Sequence, residues 1–120
     1  SRYGLTMQLD LERMFEQAAS PWPLVFGGVV VAPLVEEIFF RGFVFAGLKK
    51  GYGWKTAMLT SAALFALIHL RPLAMPPIFL LGLVFAHLYQ RSGSVWPAVI
   101  LHILVNGLAL VAASSLAGGI

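Results

Sequence analysis

At 120 residues and 13.0 kDa the chain holds one domain at most, and it is 59% hydrophobic but only 11% charged, against roughly 25% charged in an ordinary soluble domain. A soluble domain this small has a high surface-to-volume ratio that five acids and eight bases cannot cover, so the mean hydropathy of +0.86 reads as a membrane protein. The same figures exclude intrinsic disorder; the net charge of +3, spread over bases of which only Lys49 and Lys50 are adjacent, excludes a nucleic-acid binder, and the absence of cysteine excludes disulfides, thiolate zinc sites and a cysteine nucleophile.

In chain order, Met7, Leu11, Met14, Phe15 and Ala18 fall on one helical face, opposite Gln8, Glu12, Arg13, Glu16 and Gln17. This predicts an amphipathic helix over residues 1–20, lying at the membrane interface and ending at Ser20-Pro21-Trp22-Pro23. Its charges are the wrong pattern for a cleavable signal peptide, and the start at Ser1 is expected of a core excised from a longer protein. Four apolar stretches follow, at about 24–48, 55–70, 77–89 and 95–116. The first and last reach the ~20 residues that cross a bilayer; the middle two are short, tilted or re-entrant and leave room for a polar cavity.

The predicted fold is therefore all-α: a polytopic bundle of about four membrane helices plus the amphipathic helix, with residues 21–120 as its core. The loops at 49–55 and 90–94 fall on one side and carry Lys49, Lys50, Lys55 and Arg91, against Arg2, Arg13 and Arg71 on the other. The positive-inside rule puts these two loops in the cytoplasm. A multi-pass protein of a bacterial cytoplasmic membrane is the expected location.

Charged groups at mid-bilayer cost about 3 kcal/mol each on insertion scales, which makes those present candidates for function. Glu37 and Arg41 are spaced i,i+4 with the acid first, the favoured geometry for an ion pair on one helix, and are read as structural support. Glu36 points about 100° away and cannot share that pairing in the same way. It is the odd carboxylate, suited to a general base. His69 closes Phe65-Ala66-Leu67-Ile68-His69, and His102 and Asn106 share one face of the last helix at i,i+4. His87 reads as interfacial.

Carboxylates, two imidazoles and a carboxamide in one cavity could deprotonate a water and donate hydrogen bonds to an oxyanion, the requirements of peptide hydrolysis without a covalent intermediate. The chain has neither HExxH nor Gly-x-Ser-x-Gly. A zinc ion on Glu36, His69 and His102 is chemically possible, but asparagine is a poor zinc ligand, so the favoured reading requires no cofactor.

Glu36-Glu37-Ile38-Phe39-Phe40-Arg41, Phe65 to His69, and His102 to Asn106 match the motifs EExxxR, FxxxH and HxxxN. Together they resemble the CPBP intramembrane proteases (CAAX protease and bacteriocin processing, or Abi), the group that includes the type II CAAX prenyl endopeptidase. The turn at 89–97 is also similar, and the likeness spans about 23–110. The resemblance implies that Glu36 is the catalytic base on a water also held by His69. It further implies that His102 and Asn106 form the oxyanion site, with Glu37 and Arg41 in support. The implied partners are the lipid bilayer and a peptide or prenylated protein substrate within it. Two other classes are weighed: a non-proteolytic membrane scaffold or immunity-type partner, and a proton-coupled transporter fragment, the latter disfavoured by the lack of an internal repeat.

Overall fold

The computed structural model describes residues 21–118, which form four helices and no strand. They are α1 (Trp22–Tyr52), α2 (Trp54–Leu67), α3 (Met75–Ser92) and α4 (Trp96–Gly118). The helix expected over 1–20 lies outside the described residues. At 1.5 Å per residue the 31-residue α1 is about 46 Å long, so it runs the length of a molecule measuring 47 × 30 × 23 Å.

Prolines set where the helices start and how α1 winds. Pro23 in α1 and Pro76 in α3 occupy first turns, where the missing N–H has no helical partner to lose. This is why α3 begins at Met75 and runs 18 residues to Ser92, longer at both ends than the expected 77–89: its proline pair starts the helix instead of preceding it. Pro33 is different, being buried in the interior of α1. The turn before it, Gly27–Val31, widens to π-helical hydrogen bonding, with the Ala32 N–H reaching back to the Gly27 carbonyl. A second π-helical stretch covers Ile38–Phe45, immediately after the two glutamates. Insertions of this kind recur at functional sites.

Tight turns join antiparallel neighbours. Gly53 alone connects α1 to α2, with φ +88°. Gly93, left-handed at φ +69°, ends α3 with its N–H on the Tyr89 carbonyl, and Ser94 Oγ accepts the Trp96 N–H to start α4. The helices α2 and α3 approach closely because small residues face each other: a Cβ added at Gly82 would stand 3.0 Å from Ala62 Cα. α2 stops at Leu67, three residues short of the expected end, which leaves His69 in the turn.

Two helices, α1 and Trp96–Leu116 of α4, are long and apolar enough to cross a membrane. α2 and α3, with 14 and 18 residues, span about 21 and 27 Å, short of a ~30 Å hydrocarbon core. Burial is inverted relative to a water-soluble protein. Glu37, Arg41, Ser61 and His102 are buried, while Phe43, Leu64, Ile100, Leu104 and Leu108 face outward. An apolar exterior over a polar centre is the arrangement that a lipid solvent selects.

Candidate active site

The centre of the bundle is built on Arg41. Its Nη2 donates to the Gly82 carbonyl at 2.9 Å, its Nη1 to Glu37 Oε2 at 3.5 Å, and its Nε faces Glu37 Oε1 at 3.3 Å. The guanidinium carbon lies 4.7 Å from the Phe65 ring centre, 5.2 Å from Phe85 and 5.9 Å from Phe40. A fully buried cation is thus enclosed by one carboxylate, one carbonyl and three aromatic faces drawn from α1, α2 and α3. Each of these favours the charged guanidinium.

Glu37 passes this order on to α4. Its Oε2 lies 2.7 Å from His102 Nδ1. A carboxylate holding Arg41 is an acceptor only, so Nδ1 carries the hydrogen and donates it. The His102 ring stacks on Phe85 (centroids 4.8 Å apart, planes at 20°) and meets the edge of Phe65. Both hydrogen bond and stacking fix the imidazole, and they aim Nε2 at Glu36 Oε2, 3.3 Å away. Two bare acceptors would repel at that distance. One proton therefore lies between them, on Nε2 or on the carboxyl group.

Glu36 is consequently not the unpaired carboxylate expected from its phase on the helix. His102 reaches across 65 positions in sequence and, through its two nitrogens, touches both glutamates. Glu36 is also less enclosed, with 31% of its side chain exposed where that of Glu37 has none.

His69 stands just beyond α2, half-buried. Its Nδ1 lies 2.6 Å from the Phe65 carbonyl, one of the four that the end of a helix leaves without a backbone donor. The carbonyl can only accept, so Nδ1 carries a hydrogen, and in the ring's neutral form Nε2 is the free base. The next residue, Leu70, has φ +54°, a left-handed backbone that is uncommon outside glycine and marks the turn as constrained. Among the described residues His69 has no hydrogen bond or ion pair with Glu36. Phe65 links it to the centre, its ring 4.9 Å from His69 and 5.8 Å from His102.

Asn106 donates from Nδ2 to the Gly28 carbonyl at 3.3 Å. That carbonyl is orphaned by the winding of α1: the Ala32 N–H goes to Gly27, and Pro33, next in line, has no N–H. The carboxamide keeps a second hydrogen to give. Beside it an apolar groove of about 320 Å³ runs between α1 and α4, lined by Leu24, Val25, Gly28, Val29, Ala109 and Leu110. His87 is exposed on α3.

Glu36, His69 and His102 do not close into a metal-binding trio, and among the described residues no three His, Asp or Glu side chains do. Sequence reasoning did not find Phe40, Phe85 and the carbonyls of Gly82 and Gly28. Apolar rings and backbone oxygens leave no signature beyond the spacing of Gly82 and Phe85, which sets them on one face of α3.

The family model for type II CAAX prenyl endopeptidases, Rce1-like, matches residues 18–108, all three motifs included. The chain belongs to this family. It is 28% identical over 82 residues to the Bacillus subtilis (strain 168) protein named "Putative membrane peptidase YdiL", an alignment covering 68% of this chain and 34% of that protein. The chain thus spans about a third of the length of this curated relative. No solved structure matches it. Membership of the Rce1-like family, with the two apolar helices, makes this a membrane protein of a peptidase family.

Proposed function

We propose that residues 21–120 are the catalytic core of a multi-pass intramembrane endopeptidase that uses a water activated by Glu36 and His69, with His102 and Asn106 as the oxyanion site. In this reading α2 and α3 are short membrane helices beside the two full spans, in a bacterial cytoplasmic membrane with the Lys49 and Arg91 loops on the cytoplasmic side. The observation that carries it is the Glu36–His102 contact, in which a partly exposed carboxylate faces an imidazole fixed from behind by Glu37.

The chemistry follows from the proton positions. With Glu36 ionised the shared proton rests on His102 Nε2. A water beside Glu36 gives its proton to the carboxylate, with His69 Nε2 orienting it, while its oxygen bonds to the peptide carbonyl carbon. The resulting oxyanion takes hydrogen bonds from His102 Nε2–H and the second Asn106 Nδ2–H. As the C–N bond breaks, Glu36 returns the proton to the leaving amine, giving a free carboxylate and a free amine. No step uses a metal. The groove beside Asn106 suits an apolar stretch of substrate, whether a membrane segment, a bacteriocin leader or a prenylated tail.

The test is cleavage of membrane-embedded and prenylated peptides by the full-length protein in liposomes, comparing wild type with Glu36→Ala, each with and without a chelator. Cleavage abolished in Glu36→Ala and indifferent to the chelator is the expected result. Cleavage retained in Glu36→Ala refutes the reading, and loss with chelator that zinc restores replaces it with a metal-dependent one. The alternative, a non-proteolytic membrane scaffold or immunity-type partner, draws on the packing roles of Arg41 and Asn106. It predicts that Glu36→Ala and His69→Ala leave the phenotype unchanged.

A further inference from the structure

The opposite end of α1 carries a second polar feature that the peptidase chemistry does not use. A cleft of about 370 Å³ lies between the last turns of α1 and α3, lined by Ala46, Lys49, Lys50, Tyr89, Gln90 and Gly93. Two exposed lysines and the half-buried Gln90 line it.

No Asp or Glu follows Glu37 in the sequence, and both Glu36 and Glu37 are engaged by His102 and Arg41. Among the described residues Lys49 and Lys50 therefore have no carboxylate partner. Tyr52, Trp54 and Trp96 stand exposed at this same end, as aromatic side chains do at the headgroup level of a bilayer.

We propose that this cleft binds the headgroup of an anionic phospholipid, with Lys49 and Lys50 pairing with the phosphate. The assignment rests on two features found together, cations with no carboxylate partner among the described residues for the phosphate and exposed aromatic side chains at the headgroup level for a lipid. A bare phosphate meets only the first of these, and its acyl chains give a lipid an apolar α1 surface to lie along.

The experiment is native mass spectrometry of the full-length protein in detergent, after delipidation, titrated with phosphatidylglycerol, phosphatidic acid, phosphatidylcholine or inorganic phosphate. Wild type should retain phosphatidylglycerol over phosphatidylcholine, and Lys49→Gln/Lys50→Gln should lower that retention by about fivefold per lysine. Lys49→Arg/Lys50→Arg should restore it, which separates loss of the site from loss of the fold. Equal retention by wild type and the double Gln variant overturns the proposal, as does an equal loss in Lys55→Gln, which marks a diffuse surface attraction. Displacement of phosphatidylglycerol by millimolar inorganic phosphate reassigns the cleft to a free anion. Binding is read without cleavage, so the result stands apart from the peptidase reading.

Discussion

Glu36 and Glu37 are neighbours in one helix and have opposite surroundings. Glu37 has no exposed side-chain surface and holds two partners, Arg41 and His102; Glu36 is 31% exposed and holds one, at 3.3 Å. The 100° step between adjacent helical residues is enough to turn one carboxylate into the closed centre and leave the other at its edge. A buried, ion-paired carboxylate cannot change its charge cheaply, whereas an edge carboxylate that shares a proton with an imidazole can. In the proposed mechanism the inner half of the cluster sets positions and the outer half does the chemistry.

That division can be broken most severely at Glu37. Glu37→Ala strands the Arg41 charge and frees His102 Nδ1, and is expected to cost about 3–5 kcal/mol, measured by thermal unfolding in detergent, with loss of cleavage. Replacing the ion pair by apolar residues of similar volume, as in Glu37→Leu/Arg41→Met, should recover much of that stability without recovering cleavage, because His102 stays unanchored. Recovery of both would show that Glu37 only packs. Gly82→Ala should cost about 2 kcal/mol, since the new methyl group pushes Ala62 and shifts the carbonyl on which Arg41 rests.

Smaller effects on the fold are expected further out. Asn106→Ala leaves the Gly28 carbonyl without its donor, a loss of about 0.5–1 kcal/mol for an exposed hydrogen bond. Glu36→Gln sharpens the comparison most, with a stability change within about 0.5 kcal/mol and a cleavage loss of roughly 10²–10⁴-fold. A large loss of stability in Glu36→Gln would make both glutamates structural.

The Glu37–Arg41 pair was legible from i,i+4 spacing alone, because both partners lie on one helix. The three motifs singled out Glu36, His69, His102 and Asn106 as candidates, and of these the fold brings Glu36 and His102 into contact. The bridge by which His102 joins both glutamates was not legible, since it exists only once α4 packs on α1. Nor was the second task of Asn106: Pro33 is visible in the sequence, but the orphaned carbonyl at Gly28 follows from how the helix widens around it. The start of α3 was misplaced for a related reason, a proline pair marking either the end of one element or the first turn of the next.

The order in which the cluster can assemble has a consequence for biogenesis. Arg41 meets Glu37 within a single helix, so the pair is neutral before any later segment has left the ribosome. An α1 arriving alone at the translocon therefore presents one net intramembrane charge, that of Glu36, instead of three. The imidazole that joins both carboxylates is made 65 residues after Glu37. A nascent chain that stops before α4 inserts its charged helix with Glu36 unmatched, which sets incomplete chains apart from finished ones for membrane quality control.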